Sequence, residues 1–353
     1  MNIHNHCSMK RTVIPFLLLS LLMSVMIGCG GNKNAVNEVV VRYQDPGESV
    51  FPVSDYFQLE NKLDISDQGD YFLSDVSGVF FTDDYAFLLD SRQAISKVDL
   101  KTGEIVKQLY QVGNGPQDYL RAVNITGDKE HLYLLDHMTK RVHVYDFDLK
   151  HQDRFDVEYI PSPSSFVKLK DGFMFLNSAE DTKLGAFVVT DNRGVKKASF
   201  LELEEEPVYN DDEMAFRVVY TDNCFFTNAD GNMLCYYPNA NEIYLYDGKT
   251  LSKQFSIKPD DNLVGTRGVN IRKVFYMNGK TLVGYMCDYK PSFGWFDKDG
   301  NLLAKGHGQY ITQRFQIYQS GDKVVLVLMA QDLLETEAAG KSVQAQISVY
   351  RPK

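Results

Sequence analysis

Residues 131–158 read HLYLLDHMTKRVHVYDFDLKHQDRFDVE. Leu132-Tyr133-Leu134-Leu135 is a short apolar strand that stops at Asp136. After the polar turn 137–140, Arg141-Val142-His143-Val144-Tyr145 alternates at period two and stops at Asp146. A further turn leads to a third, more polar strand over Gln152–Val157. Period-two alternation bounded by turn residues is the mark of a β-strand, and here three strands follow one another at hairpin spacing. The plan recurs in YAFLLDSRQAISKVDLKTGEIVKQLYQV, residues 85–112, where Asp90 takes the place of Asp136 and Asp99 that of Asp146. A unit of this size cannot cover both faces of its own sheet, so recurrence implies stacked copies.

Working outward, the ends of third strands serve as markers: Asp99, Asp146, Thr190, Asp247, Asp297 and Tyr350, separated by 47, 44, 57, 50 and 53 residues. Four-stranded propeller blades take about 40–50 residues each. Six markers therefore predict an all-β, six-bladed β-propeller of four-stranded blades. Outer fourth strands are expected over Ile105–Val112, Gln152–Val157, Lys197–Leu203, Leu251–Ile257 and Leu302–Lys305. Only three residues follow Tyr350, so the sixth blade lacks an outer strand of its own. A spare strand, Asp55-Tyr56-Phe57-Gln58-Leu59, precedes the first blade, which begins near Val76. It is expected to complete the last blade and close the ring, removing the open edges of a linear array.

The 131–158 unit resembles the NHL-type and TolB-like propeller repeats, on the strength of Leu134-Leu135-Asp136 and Arg141-Val142-His143-Val144-Tyr145-Asp146. The link Gly113-Asn114-Gly115-Pro116-Gln117-Asp118-Tyr119 is similar to a segment of the six-bladed propeller lipoproteins of gut Bacteroidetes. That resemblance implies an outer-membrane address facing the periplasm and brings no defined activity. It leaves surface exposure open, although residues 30–37 lack the acidic tract that accompanies surface export. The same link is not a phosphate loop: no Gly-Lys-Ser/Thr follows, and Pro116 removes a backbone donor.

At the N-terminus Lys10 and Arg11 precede an apolar run of about fifteen residues, Val13–Ile27, suited to a signal-peptide core and short for a membrane span. Met26-Ile27-Gly28-Cys29 resembles a bacterial lipobox, with Cys29 the lipidated residue. The domain plan expected is a signal peptide over 1–28, the lipidated cysteine and a flexible tether over 29–50, and the propeller over 51–353. The chain carries a formal charge of −10, and its first 28 residues contain two basic and no acidic side chains, so the remainder is more acidic still. Such a balance offers no general attraction to nucleic acid or anionic membranes. Membrane attachment is expected through the lipid alone, and a monomeric domain is expected. Cys224 and Cys235 could pair across a hairpin or remain as buried thiols.

Candidate binding residues lie where innermost strands begin. Arg121, Arg217, Arg272 and Arg314 precede or open such strands and could converge on the funnel mouth. A guanidinium ring would hold a carboxylate, a phosphate or an acidic sugar, since guanidinium binds such groups bidentately. The alternative is that each arginine pairs with a loop carboxylate and fixes blade geometry. His137 and Tyr289 lie on loops of the same face. Asp90 and Asp136 recur at one position, which points to turn-formers bonding their own backbone. No catalytic residue, metal ligand or cofactor is assigned. Three readings follow: a lipid-anchored binding module for an anionic small molecule or glycan; a propeller enzyme of lactonase, lyase or glycan-active type; and an envelope scaffold that contacts another protein through a contiguous apolar patch.

Overall fold

The computed structural model describes residues 39–66, 71–178, 183–202, 224–227, 232–264, 269–308, 317–320, 323–329 and 343–353; Cys29, Arg217 and Arg314 lie outside them. The described strands form six sheets. Blades one to six occupy residues 76–109, 122–156, 163–200, 225–259, 270–307 and 317–352, and within each the strands pair in antiparallel sequence order. Innermost strands are Val76–Phe81, Ala122–Gly127, Pro163–Leu169, Phe225–Thr227, Asn270–Met277 and Ile317–Ser320. This is the six-bladed, four-stranded propeller expected from the spacing.

Side-chain chemistry follows position within the blade. A second strand is covered on both faces by neighbouring blades, so it reads as an unbroken apolar run: every residue of Leu132–Asp136 and of Gly172–Asn177 is buried. An outer strand meets solvent, and His151–Asp156 (HQDRFD) is correspondingly polar and largely exposed. The core lies between blades. Phe87, Tyr119, Leu134 and Tyr145 fill the space between blades one and two. Tyr133, Phe166, Phe173 and Phe175 fill that between two and three. Each fully buried apolar side chain of this size contributes about 1.5–3 kcal/mol.

The corners between third and fourth strands repeat one device. Asp99, Asp146, Asp191, Asp247 and Asp297 each accept two backbone N–H groups from the following turn. Bonds from the Val195 amide, the Thr250 amide and the Asn301 side chain hold the carboxyls of Asp191, Asp247 and Asp297 below the usual range. In blade three the corner residue is thus Asp191, one position after Thr190, because the carboxylate and not the strand end makes the turn.

The N-terminal segment does close the ring. Strand β2, counted after β1 (Val39–Tyr43), spans Phe57–Ser66 and pairs antiparallel with Val343–Pro352 as the outer strand of blade six. The flexible tether expected over 29–50, however, does not extend through residues 39–50. β1 pairs in parallel with Leu251–Pro259 and makes blade four five-stranded, with Val41 and Tyr43 buried. The chain then crosses blade five, where the His307 amide donates to the Ser49 carbonyl and the Phe51 amide to the His307 carbonyl. Phe51 packs on Phe57 and Phe293, and a single helical turn, Val53–Tyr56, leads into β2. Val39-Val40-Val41 is too short a run to announce a strand by alternation; its partner on blade four supplies the rest. Cys224 and Cys235 are buried free thiols, with the Cys235 sulfur 3.4 Å from that of Met174.

Candidate functional site

Two kinds of loop emerge on one face of the disc: the links between blades and the turns joining second to third strands. Here this is the link face, and the opposite side, carrying the third-to-fourth-strand turns, the corner face. On the link face of blades one to three, loop and turn are tied by a polar knot. Asp136 accepts the Leu120 and Arg121 amides (2.9 and 3.0 Å) from the link and the Met138 amide and Thr139 hydroxyl (3.1 and 2.6 Å) from the turn. Burial raises the pKa of this carboxyl, but the bonds from Thr139, Leu120 and Arg121 outweigh it and hold the group below its ordinary range. Asp90 does the same in blade one for the Ser74, Arg92 and Ala94 amides. In blade three Asn177 accepts the Ser162 amide and donates to the Gly185 carbonyl. All three side chains are buried. They are turn-formers, as their recurrence implied.

The link Gly113–Tyr119 also closes on itself. Asp118 accepts the Gly115 amide at 2.7 Å, and a Cβ on Gly113 or Gly115 would fall 2.5 or 2.7 Å from that carboxylate oxygen. The loop therefore already cradles an anion, its own Asp118, in the room that the two glycines leave. Tyr119 is buried beneath it and donates to the Gln93 carbonyl at 2.6 Å, pinning the link to the turn of blade one.

Arg121 is exposed and its guanidinium has no hydrogen-bond or ion-pair partner among the described residues. Arg272 is the extra residue of a β-bulge in the innermost strand of blade five, between Ile271 and Lys273, and is half-buried. Blades one to three carry bulges at their own strand starts, with Ser77, Val123 and Ser164 as the extra residues. Arg121 precedes its bulge by two positions, so the two arginines are not register equivalents. His137 is half-buried and its Nδ1 lies 2.9 Å from the Pro163 carbonyl. A carbonyl only accepts, so Nδ1 carries the proton and the ring bridges blades two and three. Tyr289 sits at the tip of a tight hairpin, Asp288 and Tyr289 both in the left-handed region (φ 48° and 60°), and is 77 % exposed.

The central channel has a volume of about 270 Å³ and is lined by innermost strands of blades one, two, three, four and six. Its wall is mainly aromatic and small polar: Phe80, Phe81, Phe166, Phe225, Asn124 and Ser165. Neither Arg121 nor Arg272 lines it; among the described residues the charged side chain in its wall is Lys168, already bonded to the Leu169 carbonyl and Asn192. Among the described residues no group of three or more His, Cys, Asp or Glu could hold a metal ion.

A feature that sequence reading passed over lies outside the channel. Phe72 and Met138 (each 59 % exposed), Tyr110 (66 %), Tyr159 (40 %) and Leu120 (37 %) stand on the link-face loops of blades one to three. Contacts knit the loops that carry them. Arg92 and Gln108 both donate to the Phe72 carbonyl, and Arg92 stacks over the Phe72 ring at 4.6 Å. The His137 amide bonds the Arg121 carbonyl, and the Val157 amide bonds that of Lys140. In sequence these residues are spread over four separate loops, and only the ring places those loops on one face.

Six four-stranded blades around a channel, with loops and turns knitted into one face, define a six-bladed β-propeller. The chain belongs to the family DUF5128, described as a 6-bladed beta-propeller, whose sequence pattern matches residues 47–305. Among solved structures it is similar to a Bacteroides fragilis protein described as exported, with a TM-score of 0.68 at 16 % identity over 89 % of this chain and 99 % of that one. It is also similar to a DUF4221 family member from Bacteroides vulgatus, with a TM-score of 0.53 at 10 % identity over 84 % and 98 %. At these identities the likeness is one of fold. No curated protein matches the chain.

Proposed function

We propose that this chain is a lipid-anchored envelope protein that holds another protein on the link face of blades one to three. The observation that carries the reading is that exposed Phe72, Tyr110, Leu120, Met138 and Tyr159 all stand on loops of one face, beside Arg121, whose guanidinium has no partner among the described residues. Exposed Tyr, Phe, Met and Arg on a rigid frame are the residues that dominate protein interfaces, and clustered exposed apolar side chains mark interaction sites. The partner surface is apolar at its centre and carries a carboxylate opposite Arg121. Cys29 in its lipobox-like setting, and a fold neighbour described as exported, support an envelope address on the periplasmic side of the outer membrane.

A photo-crosslinker placed at Met138 and, separately, at Lys249 on the opposite face tests this in intact envelopes. The expected result is one defined adduct from Met138 alone, lost in Tyr110→Ala and in Arg121→Glu. Equal labelling from both faces, or adducts indifferent to those substitutions, would overturn the reading. A small anionic ligand or glycan is the second reading, favoured by the same Arg121 and the exposed Tyr289 ring. It predicts that uronic-acid oligosaccharides compete with the adduct.

A further inference from the structure

The wall of the central channel repeats one position from blade to blade. In blades one, two, three and five the residue directly after the bulge of the innermost strand is Gly78, Asn124, Ser165 and Lys273. The first three stand opposite Leu89, Leu135 and Leu176, one pair inside the knots at Asp90, Asp136 and Asn177. All three line the channel, and so form one level of its wall just inside the link-face mouth. Lys273 does not line it; its ammonium sits 5.2 Å from the centre of the Tyr318 ring. Asn124 is only 9 % exposed and Ser165 only 1 %. Neither side chain has a hydrogen-bond partner among the described residues, and neither has Thr126, two positions further along the same face of its strand. Gln319, Tyr318 and Ser77 in the same wall are already engaged, with the Tyr276 amide and carbonyl, the Val76 carbonyl and the Leu89 carbonyl respectively. An amide or hydroxyl buried without a partner is unfavourable, so a partner from outside the chain is implied for Asn124 and Ser165.

We propose that the channel binds one uncharged, hydroxyl-rich ring, either a free monosaccharide or the end sugar of a glycan. A carboxamide and a hydroxyl each donate and accept, which matches a hydroxyl and favours neither sign of charge. Lys168 is already bonded, and a charged ligand would leave water without a counter-charge from the described wall. Phe81, Phe166 and Phe225 offer flat apolar surface to the C–H faces of such a ring. A few placed polar groups among aromatic walls are the usual make-up of a small-molecule site. Size points the same way. A cavity of roughly 150 Å³ accommodates a benzene ring. The channel, at about 270 Å³, has room for one ring with its hydroxyls, and the rest of a glycan would project from the link-face mouth. The site is separate from the apolar link-face loops, because Phe72, Tyr110, Met138 and Tyr159 do not line it.

The test uses the full chain purified in detergent and saturation-transfer NMR at millimolar ligand. The probes are glucose, galactose, N-acetylglucosamine and myo-inositol, beside glucuronate and inorganic phosphate. Transfer is expected to at least one neutral ring and to neither anion. Asn124→Leu, close to isosteric, should weaken that binding about tenfold and Ser165→Ala several-fold. Tyr110→Ala on the link face should leave it unchanged, and Asn124→Leu should leave the Met138 adduct in place. Because Asn124 has no partner in the described chain, Asn124→Leu should also melt at the same temperature as the unsubstituted protein or higher, which separates lost binding from lost folding. Transfer to no neutral ring, equal transfer to glucuronate, or binding that survives Asn124→Leu overturns the proposal. So does a lower melting temperature for Asn124→Leu, which would make that side chain part of the frame. Lactose and chitobiose distinguish the sources, and either result upholds the site: transfer to their terminal ring identifies a glycan end, and transfer to single sugars alone a free monosaccharide.

Discussion

Blades one to three and blades four to six are held together by different means. In the first three, a buried Asp90, Asp136 or Asn177 at the end of the second strand ties the incoming link to the outgoing turn. Blade four repeats the turn geometry, with Asn241 at φ 51° where blade two has Lys140 at φ 53°, but Tyr237 stands where the carboxylate would be. Blade five runs its second strand on to Cys287 and turns through Asp288-Tyr289. What these blades have is the strap: β1 on blade four, Ser49 and Phe51 on blade five, and β2 on blade six. One half of the ring is fastened by side chains within about twenty residues of one another, the other by a segment some two hundred or more residues away in sequence. Local knots need no distant partner, while the strap forms only when the whole ring is in place.

That contrast can be broken most severely at the strap. Removing residues 39–50 deletes buried Val41 and Tyr43 and bares the outer edge of blade four. Losses of this kind cost about 2–5 kcal/mol per large apolar side chain, so the deletion is expected to lower stability by roughly 5 kcal/mol or more. Urea unfolding of 39–353 against 51–353 measures it. Amide exchange should rise in blades four and five and stay unchanged in blades one to three. Uniform deprotection around the ring would refute the division.

The knots come next. Asp136→Ala strands the Leu120, Arg121 and Met138 amides together with the Thr139 hydroxyl. Each buried donor left without a partner costs about 1–3 kcal/mol, partly recovered by relaxation, and a total of about 3–4 kcal/mol is expected. The same substitution at the exposed corner residue Asp247 should cost measurably less, since water replaces the carboxylate there. Equal losses at both positions would mean that burial of the knot adds nothing.

The smallest effect is a pH dependence that belongs to the knotted half. His143, in the third strand of blade two, is buried against Tyr119, Tyr145 and His151. Burial, followed by the His151 imidazole, pushes its pKa down from 6.5 to about 4. Between those values the unfolded chain binds a proton that the folded chain refuses, so stability is full above pH 6.5 and falls as pH drops toward 4. The shift corresponds to at most about 3 kcal/mol across that window. His143→Leu should flatten the slope of unfolding free energy between pH 4.5 and 6.5, and an unaltered slope would assign it to the carboxylates instead.

Fold class, blade number and ring closure were legible because each rests on local chemistry. A strand buried on both faces must be apolar throughout, as in Leu132–Asp136, and a corner needs a carboxylate within reach of its own turn amides, as at Asp146. Repetition then multiplies a weak signal six times. The spare strand at Phe57 was legible for the same reason, by counting what the sixth blade lacked. β1 was not, because Val39-Val40-Val41 is too short an apolar run to show alternation, and Leu251–Pro259 supplies the edge that makes it a strand. The arginines show the same limit. Residue type and spacing placed Arg121 and Arg272 at innermost strand starts, but a one-residue bulge decides where each side chain goes, and a bulge leaves no mark in composition.

The sequence by itself determined that this chain makes six four-stranded blades and closes them with its own N-terminal segment, because strand period, turn chemistry and strand count are properties of short stretches. Only the tertiary structure decided that half the ring is strapped from outside, and that the loops bearing Phe72, Tyr110, Met138 and Tyr159 stand on one face. Those are relations between residues far apart in the chain, and they exist only once the ring has brought the blades side by side.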